Sequence, residues 1–204
     1  MPVWGSEYWD ERYASMPSVW GAEPNRWVAE QLADLPPGTA VDLACGEGRN
    51  AVWLASRCGW RVYAVDFSPV ALEKGRELER RNPPDVPITW LTSDVTEYLP
   101  PEPVDLVLIC YLQLPATARR AAVRNAAESL APGGTLLMIG HDSRNLIEGT
   151  GGPQDPSVLF TAGDIADDLS GIEMTIVQAG EVLRPVEGAE RPAIDALFRA
   201  TRGT

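Results

Sequence analysis

Residues that bind metals or form disulfides are scarce in this sequence. It contains one histidine, His141, and three cysteines among 204 residues. The cysteines Cys45, Cys58 and Cys110 are odd in number and show neither paired spacing nor a Cys-x-x-Cys motif. We therefore expect no disulfide framework and no metal site, in a reduced, cytoplasmic protein.

Basic residues and long apolar runs are also few. Lys and Arg number 17 against 29 Asp and Glu, which gives a net charge of −12 at pH 7. Nucleic acids and anionic membranes bind clustered positive charge, and because no such cluster occurs, neither is expected as a partner. The longest apolar runs, such as residues 104–110, are too short to cross a bilayer, and no signal peptide is visible.

Short apolar segments alternate with helical patterns over the first two thirds of the chain. Helices are predicted at 24–35, at 49–58, from Ser68-Pro69 onward and at 117–130. Strand, helix and strand at this spacing predict right-handed βαβ units, and so an α/β, Rossmann-like, doubly wound sheet. Five buried strands rich in Val, Leu and Ile are predicted at residues 39–43, 61–65, 88–91, 104–110 and 135–140.

The last third of the chain has a different pattern. Residues 173–179 and 192–200 predict two strands with no helix between them, and so an antiparallel hairpin at the edge of a mostly parallel, seven-stranded sheet. We expect a single domain over residues 1–204. Its predicted parts are an N-terminal aromatic and helical cap (1–37), a cofactor-binding Rossmann core (38–140), and a substrate-side loop with the terminal strands (141–204).

The stretch VDLACGEGRN at 41–50 combines a strand end, a glycine-rich turn and a helix start. Ligands of doubly wound sheets bind beyond the carboxyl ends of the strands, where glycines let the backbone approach them. Asp66 ends the next strand 20 residues after Gly46, the offset from which a carboxylate binds ribose hydroxyls in dinucleotide sites. Asp42 favours a cationic methionine moiety, because a carboxylate at this strand end would repel a pyrophosphate.

With these motifs the chain resembles the class I S-adenosylmethionine-dependent methyltransferases. Among them it is most similar to the small bacterial TehB-like enzymes, which are of the tellurite-resistance type. The resemblance implies in-line methyl transfer to a small-molecule acceptor, with S-adenosyl-L-methionine as methyl donor and S-adenosyl-L-homocysteine as product. It is carried by VDLACGEGRNAVWLA (41–55), VDFSPVALEK (65–74), Ser93-Asp94-Val95 and LAPGGTLLM (130–138).

The resemblance also implies roles for the residues that match these motifs. Asp42 and the glycine-rich turn would hold the methionine moiety, Asp66 the ribose hydroxyls, and Asp94 the adenine edge. Each of these carboxylates could instead cap a turn or a helix, and the cysteines could simply pack. Ala44 stands where the family usually has glycine. The predicted cofactor-binding set is Asp42, Ala44, Cys45, Gly46, Gly48, Arg49, Asn50, Asp66, Phe67, Ser68, Asp94, Val95 and Cys110.

Acceptor-side residues are predicted from their position in the chain. The aromatic segment from Trp4 to Trp20 would form a lid over cofactor and acceptor, or would only pack against the first helices. The irregular segment from His141 onward would lie above the methyl donor or be a polar loop, and His141 is a candidate general base. The predicted acceptor-side set is Tyr8, Trp9, Tyr13, Trp20, Tyr111, Gln113, His141, Arg144 and Asn145.

Two other classes of protein stay open at this point. The pattern G-x-G-x-x-A also fits an NAD(P)-dependent oxidoreductase, although we find no acid/base pair such as Tyr-x-x-x-Lys. A non-catalytic adenosylmethionine-binding protein would share every predicted cofactor residue. The sequence identifies neither the methyl acceptor nor the oligomeric state, because acceptor specificity depends on the loops attached to the fold.

Overall fold

The computed structural model describes residues 5–203, so Trp4 of the predicted aromatic segment lies outside the described residues. Seven strands form one sheet. They are β1 (Thr39–Leu43), β2 (Arg61–Asp66), β3 (Thr89–Thr92), β4 (Val104–Cys110), β5 (Leu130–His141), β6 (Met174–Arg184) and β7 (Ala193–Arg202).

Helices connect most of these strands. None of the helices within residues 5–203 has the length and apolar composition of a membrane-spanning helix. The helices are α1 (Ser6–Ala14), α2 (Arg26–Leu32), α3 (Arg49–Ser56), α4 (Pro69–Arg81), α5 (Ala116–Glu128), α6 (Asn145–Glu148), α7 (Ala162–Asp168) and one 3₁₀ helix (Pro156–Val158).

The strand order is β3-β2-β1-β4-β5-β7-β6. The first five strands pair in parallel, and β7 runs antiparallel to both β5 and β6. This confirms the predicted doubly wound sheet with its antiparallel hairpin. The strand order reverses between β1 and β4, and ligands of such sheets bind at the carboxyl ends of the strands beside this reversal.

Both faces of the sheet are buried. In β4, Val107 and Ile109 pack in one hydrophobic cluster with α5 and α7, whereas Leu106 and Leu108 pack in a second cluster with α2 and α3. This alternation follows from the two-residue repeat of a strand, and burial on both faces explains why the strands are almost continuously apolar. The loops at the carboxyl edge therefore stand on a rigid core.

Local signals account for the helix that was predicted to start at Ser68-Pro69. The Ser68 hydroxyl accepts a hydrogen bond from the Ala71 N–H at 3.1 Å, and Pro69 occupies the first helical position. Asn25 caps α2 in the same way, with its side-chain oxygen accepting from the Trp27 N–H at 2.9 Å. These caps fix where α2 and α4 begin.

The boundary between α5 and β5 differs from the prediction. Leu130 was expected to end the helix, but it belongs to β5 and pairs with Val104. The regular pairing then resumes with Leu106 opposite Thr135, so the Pro-Gly-Gly residues between these points form an irregularity within the strand. The prediction that these breaker residues end the helix is wrong, because α5 ends at Glu128 and the pairing of β5 with β4 starts before them.

The segment after β5 is more regular than the sequence suggested. The segment of about twenty residues from His141, where we expected little regular structure, contains α6 and the 3₁₀ helix, and α7 follows it. A capping box starts α7: the Thr161 hydroxyl accepts from the Asp164 N–H at 3.1 Å, and Asp164 accepts in return from the Thr161 N–H at 2.7 Å. Asp replaces the usual Glu or Gln of this motif, which hid the signal.

The N-terminus of α3 lies close to β3. Gly48 caps this helix with φ of +73°, and a Cβ there would lie 2.3 Å from Cη2 of Trp90. Gly133 has a similar φ of +78°, but a Cβ there would meet no atom within 4 Å. The two glycines therefore share the same backbone requirement and differ in their packing.

We predict that Gly48→Ala is more destabilising than Gly133→Ala. Both changes carry the cost of a left-handed residue with a Cβ, about 1–2 kcal/mol. Only Gly48→Ala must also displace Trp90, which should lower the free energy of unfolding by about a further 1–3 kcal/mol. Urea denaturation followed by circular dichroism measures both variants. Equal losses would show that Trp90 does not constrain the turn.

Candidate active site

A cavity of about 300 Å³ opens at the carboxyl edge of the sheet. Part of its wall comes from the predicted cofactor residues Ala44, Cys45, Gly46, Arg49, Asn50, Asp66, Phe67 and Cys110. Another part comes from the predicted acceptor-side residues Trp9, Tyr13, Trp20, Tyr111, Gln113 and His141. The structure thus brings most of the two predicted sets together around one space.

The glycine-rich turn between β1 and α3 has an unusual backbone. Ala44, Gly46 and Gly48 all have positive φ, at +57°, +54° and +73°. The Cys45 N–H donates to the Val65 carbonyl at 3.1 Å, which fixes the turn against β2. Ala44 occupies a conformation in which glycine would be unstrained, and this explains why the family usually has glycine at that position.

Asp66 connects the end of β2 to this turn. Its Oδ2 accepts from the Gly46 N–H at 2.8 Å and its Oδ1 from the Ser68 N–H at 2.9 Å. Burial raises the pKa of Asp66 above its usual range, although these N–H groups act to lower it. Because each carboxylate oxygen can accept a second hydrogen bond, Asp66 can still bind the hydroxyls of a ribose in the cavity.

Asp42 is fully buried beneath the turn and does not line the cavity. Neither of its carboxyl oxygens has a well-formed hydrogen bond among the described residues, although the nearby Ala51 N–H and the charge of Arg49 act to lower its pKa. Burial, and then the negative charge of Asp66, raise the pKa of Asp42 to about 8. A buried carboxyl without a partner needs an explanation. A cationic ligand above the turn would provide one, so the residues fit the ammonium and sulfonium groups of adenosylmethionine.

Glu47 attaches the N-terminal segment to the same turn. Its carboxylate accepts hydrogen bonds from the Val19 N–H at 2.9 Å and the Trp20 N–H at 3.1 Å. Lys74 lies 3.3 Å from Glu47 and also donates to the Tyr13 carbonyl. Three aromatic residues of this segment therefore face the cavity, as the lid prediction requires, whereas Tyr8 does not line it.

The opposite wall of the cavity contains a polar cluster. Tyr111, which follows β4, has a positive φ of +59°, and its hydroxyl donates to Asp195 at 2.7 Å. Arg184 of β6 donates to the same carboxylate from Nε at 2.8 Å. Nδ1 of His141 lies 3.5 Å from Asp195. Burial, and then the Asp195 charge, raise the pKa of Tyr111 above its usual range, so Tyr111 keeps its proton.

Several predicted cofactor residues lie outside the cavity lining. Asp94 forms a turn instead, because its Oδ1 accepts from the Thr96 N–H at 2.8 Å. Val95 is buried in the core, and the Ser68 hydroxyl contacts Asp10. Gly48 lies behind the turn against Trp90. That these residues contact the cofactor stays a prediction. The positions of their side chains do not favour it.

Two predicted acceptor residues also point elsewhere. Arg144 is exposed and pairs with Glu148 and with Glu181, the latter at 2.8 Å. The Asn145 amide donates to the Gly151 carbonyl at 2.8 Å. Both residues hold the segment after β5 in place and do not line the cavity, because α6 directs them away from it.

The sequence reasoning missed seven residues of the cavity wall. Glu47 stood inside a recognised motif but had no assigned role. Arg184 gave no signal, because β6 was expected to end five residues earlier. The missed residues are Pro24, Asn25, Arg26, Glu47, Leu112, Leu114 and Arg184.

Residues 40–134 match the family model described as "Methyltransferase domain". Carboxy-S-adenosyl-L-methionine synthase from Geobacter sp. (strain M21) is 32% identical over 108 residues, which cover 50% of this chain and 44% of that protein. Nodulation protein S from Rhizobium tropici is 33% identical over 109 residues, or 52% and 44% of the two chains. Each match thus spans less than half the length of the curated relative.

Solved structures match nearly the whole chain. N-methyltransferase NodS from Bradyrhizobium japonicum WM9, in complex with S-adenosyl-L-homocysteine, has a TM-score of 0.73 at 19% identity, covering 98% of this chain and 99% of NodS. TehB from Haemophilus influenzae has a TM-score of 0.69 at 18% identity, covering 97% and 66%. At these low sequence identities, the similarity shows that this chain and the two solved proteins share a fold.

The family match and the fold both agree with the class expected from the sequence. Residues 40–134 match a methyltransferase domain, the fold is shared with solved methyltransferases, and these similarities support S-adenosylmethionine as the cofactor. The fold of TehB is among those matched, in agreement with the resemblance seen in the sequence. The roles of the individual residues stay predictions.

We predict that Asp66→Asn weakens adenosylmethionine binding. Loss of charge-assisted hydrogen bonds to ribose hydroxyls should raise the Kd about 10- to 100-fold, measured by titration calorimetry. Asp85→Asn, at an exposed carboxylate between α4 and β3, is the matched control and should bind normally. A folded Asp66→Asn variant with unchanged affinity would mean that the cofactor binds elsewhere.

We also predict a pH dependence of stability that originates at Asp42. The pKa of Asp42 is about 8 in the folded chain, against about 3.9 for an unfolded Asp. Between these values the folded state holds the extra proton, so the free energy of unfolding should fall as pH rises from about 5 to 8. Asp42→Asn should remove this part of the slope, and Asp85→Asn should keep it. Urea denaturation of the ligand-free protein at each pH measures it, and equal slopes for wild type and Asp42→Asn would contradict the prediction.

Proposed function

We propose that this chain transfers the methyl group of S-adenosylmethionine to a small-molecule acceptor. The observation that carries the proposal is the shared cavity. The glycine-rich turn with Asp66 forms one of its sides, and the cluster around Tyr111 and His141 forms another. A methyl donor on the first side and an acceptor on the second would meet within one enclosed volume, as direct transfer requires.

Bound adenosylmethionine supplies a methyl group that is already activated by the positive charge on sulfur. The protein's own task is then alignment and exclusion of water. Asp66 would orient the ribose, and the unpartnered carboxyl of Asp42 would attract the cationic end of the cofactor. Trp9, Tyr13 and Trp20 would cover the site, because Glu47 holds their segment against the glycine-rich turn.

The lining of the cavity favours a small acceptor. Apolar surface predominates in its walls on the acceptor side, where Trp9, Leu112 and Leu114 lie beside the polar Gln113 and His141. Such walls suit a compact, mostly apolar molecule that carries one reactive atom. The net charge of −12 does not favour a nucleic acid or an anionic membrane surface as partner. A cytoplasmic location stays a prediction from composition.

The observations bear differently on the two alternatives, an NAD(P)-dependent oxidoreductase and a non-catalytic adenosylmethionine-binding protein. The methyltransferase family match does not support NAD(P) binding. A cationic ligand would favour the ionised form of the buried Asp42, whereas a pyrophosphate would gain nothing from this carboxyl. A protein that binds adenosylmethionine without transferring its methyl group would use the same cofactor residues. The relative named as a carboxy-S-adenosyl-L-methionine synthase marks a further use of this type of domain.

We predict that adenosylhomocysteine forms when the chain is given adenosylmethionine and a suitable acceptor. A panel of tellurite, thiols, phenols, quinolones and amines is followed by mass spectrometry, which also detects a product heavier by one methyl group. Asp66→Asn should slow turnover at low adenosylmethionine, and reactions without acceptor are the baseline. Tight binding of adenosylmethionine with no adenosylhomocysteine from any acceptor would favour the non-catalytic alternative.

A further inference from the structure

Asp195 is a buried carboxylate to which three cavity residues are attached. It lies in β7 directly opposite His141 of β5 in the antiparallel register, and its side chain is fully buried. Its Oδ2 accepts from the Tyr111 hydroxyl at 2.7 Å and from Nε of Arg184 at 2.8 Å, while Nη2 of Arg184 lies 3.3 Å from Oδ1. Such a network holds its members in defined orientations.

His141 is the third member of this group, and its ring is confined on several sides. Nδ1 is buried and lies 3.5 Å from Oδ1 of Asp195, at the long limit of a hydrogen bond and without the alignment of one. The ring centroid is 4.8 Å from that of Tyr111, and a Cβ at Gly152 would come within 2.9 Å of Nδ1. Because Nδ1 faces Asp195, Nε2 is the nitrogen that His141 can present to the cavity it lines.

We propose that Asp195 is a positioning residue that directs Nε2 of His141 at the acceptor as a general base, and that the acceptor is a weakly acidic hydroxyl on a planar apolar molecule. A carboxylate that accepts from Nδ1–H fixes the imidazole tautomer and stabilises the imidazolium that forms. This inference rests on the proposed function and names the acceptor class for it.

The charges around His141 favour this role. The groups that face it are Asp195 from β7, Tyr111 after β4 and, through both of them, Arg184 from β6. Burial acts to raise the pKa of Asp195, but contacts with His141, Arg184 and Tyr111 lower it overall, so Asp195 stays ionised near neutral pH. Tyr111 keeps its proton and cannot be the base. His141 is then the group of the cluster that can accept a proton.

The acid–base properties of possible acceptor groups favour a hydroxyl. Thiols ionise readily near neutral pH and need little help from a base, whereas amines are mostly cationic there and would meet Arg184. A phenolic or enolic hydroxyl with a pKa near 10 keeps its proton and needs a base. The aromatic and aliphatic walls, which include Trp9, Leu112 and Leu114, suit the planar body of such a molecule.

The step balances without any additional reactant. The acceptor hydroxyl gives its proton to Nε2 of His141, and its oxygen forms the new bond to the methyl carbon. The bond between that carbon and sulfur breaks, with its electron pair left on sulfur, so the products are a methyl ether and adenosylhomocysteine. The imidazolium of His141 then releases its proton to water.

The first experiment needs neither cofactor nor acceptor. His141 is the single histidine of the sequence, so ¹⁵N-detected imidazole signals of the untagged, ligand-free protein report on it without assignment. We expect wild type to show the tautomer protonated at Nδ1. In Asp195→Asn the tautomer preference should weaken. Asp168→Asn is the matched control, since Asp168 is also a buried carboxylate, paired with Arg119 at 2.8 Å. It should leave the signals unchanged.

The second experiment compares acceptors. With a phenol, Asp195→Asn and His141→Gln should lower kcat about 10²- to 10⁴-fold and leave adenosylmethionine affinity intact. The wild-type kcat should rise between pH 5 and 8, and His141→Gln should remove that rise. With a thiol acceptor, both variants should lose much less activity than with the phenol. His141→Gln keeps the test decisive if Asp195→Asn does not fold.

Each outcome decides between the two proposals. Unchanged imidazole signals in folded Asp195→Asn would overturn the positioning role and leave methyl transfer standing. Equal losses with phenol and thiol, or a pH profile unchanged in His141→Gln, would overturn the base. If wild type forms no adenosylhomocysteine with any acceptor, the proposed function fails and the base role with it, whereas the imidazole signals still show whether Asp195 orients His141.

Discussion

The turn between β1 and α3 is built over two carboxyls that are both removed from water. Asp66 is stabilised there by the N–H groups of Gly46 and Ser68, whereas Asp42 has no such partner among the described residues. Burial of a carboxyl is costly unless it is hydrogen-bonded, paired or protonated. The left-handed residues of the turn bring the Gly46 N–H to Asp66. The same turn presents Glu47 to the N-terminal segment, so one local geometry organises both the floor and the cover of the cavity.

The buried carboxyls at the two ends of the cavity differ in how their charge is compensated. At the acceptor end, Asp195 is matched by the positive charge of Arg184 and by the Tyr111 hydroxyl. At the cofactor end, neither Asp42 nor Asp66 has a comparable ion pair among the residues described. Burial raises the pKa of both carboxyls, and the charge of Asp66 raises that of Asp42 further. A cationic ligand would balance the cofactor end, and an uncharged one suits the acceptor end. Under the proposed function, this difference in charge would direct the cofactor and the acceptor to different parts of one cavity.

Local sequence signals were enough to predict the fold. Residues that reach the site only through long-range strand pairing could not be predicted. The strands 39–43 and 104–110 have the predicted bounds, because apolar runs between breaker residues suffice to define buried strands. Most of the predicted cofactor residues line the cavity, because they lie within one contiguous motif and one fixed offset. Asp195 was missed, since Tyr111 reaches it across 84 positions and only the register of β5 against β7 brings them together. No local pattern encodes that register.

Backbone strain occurs at two strand ends that border the cavity. Within residues 5–203, Ala44 and Tyr111 are the two residues other than glycine with positive φ, and they follow β1 and β4, the strands beside the reversal of strand order. Strain of this kind persists only where surrounding structure enforces it, and it is often found at functional sites. Glycine at position 44 would relax the turn. Glycine at position 111 would also be unstrained, but it would remove the hydroxyl that donates to Asp195. The strained backbone at Tyr111 therefore accompanies the placement of this side chain against Asp195.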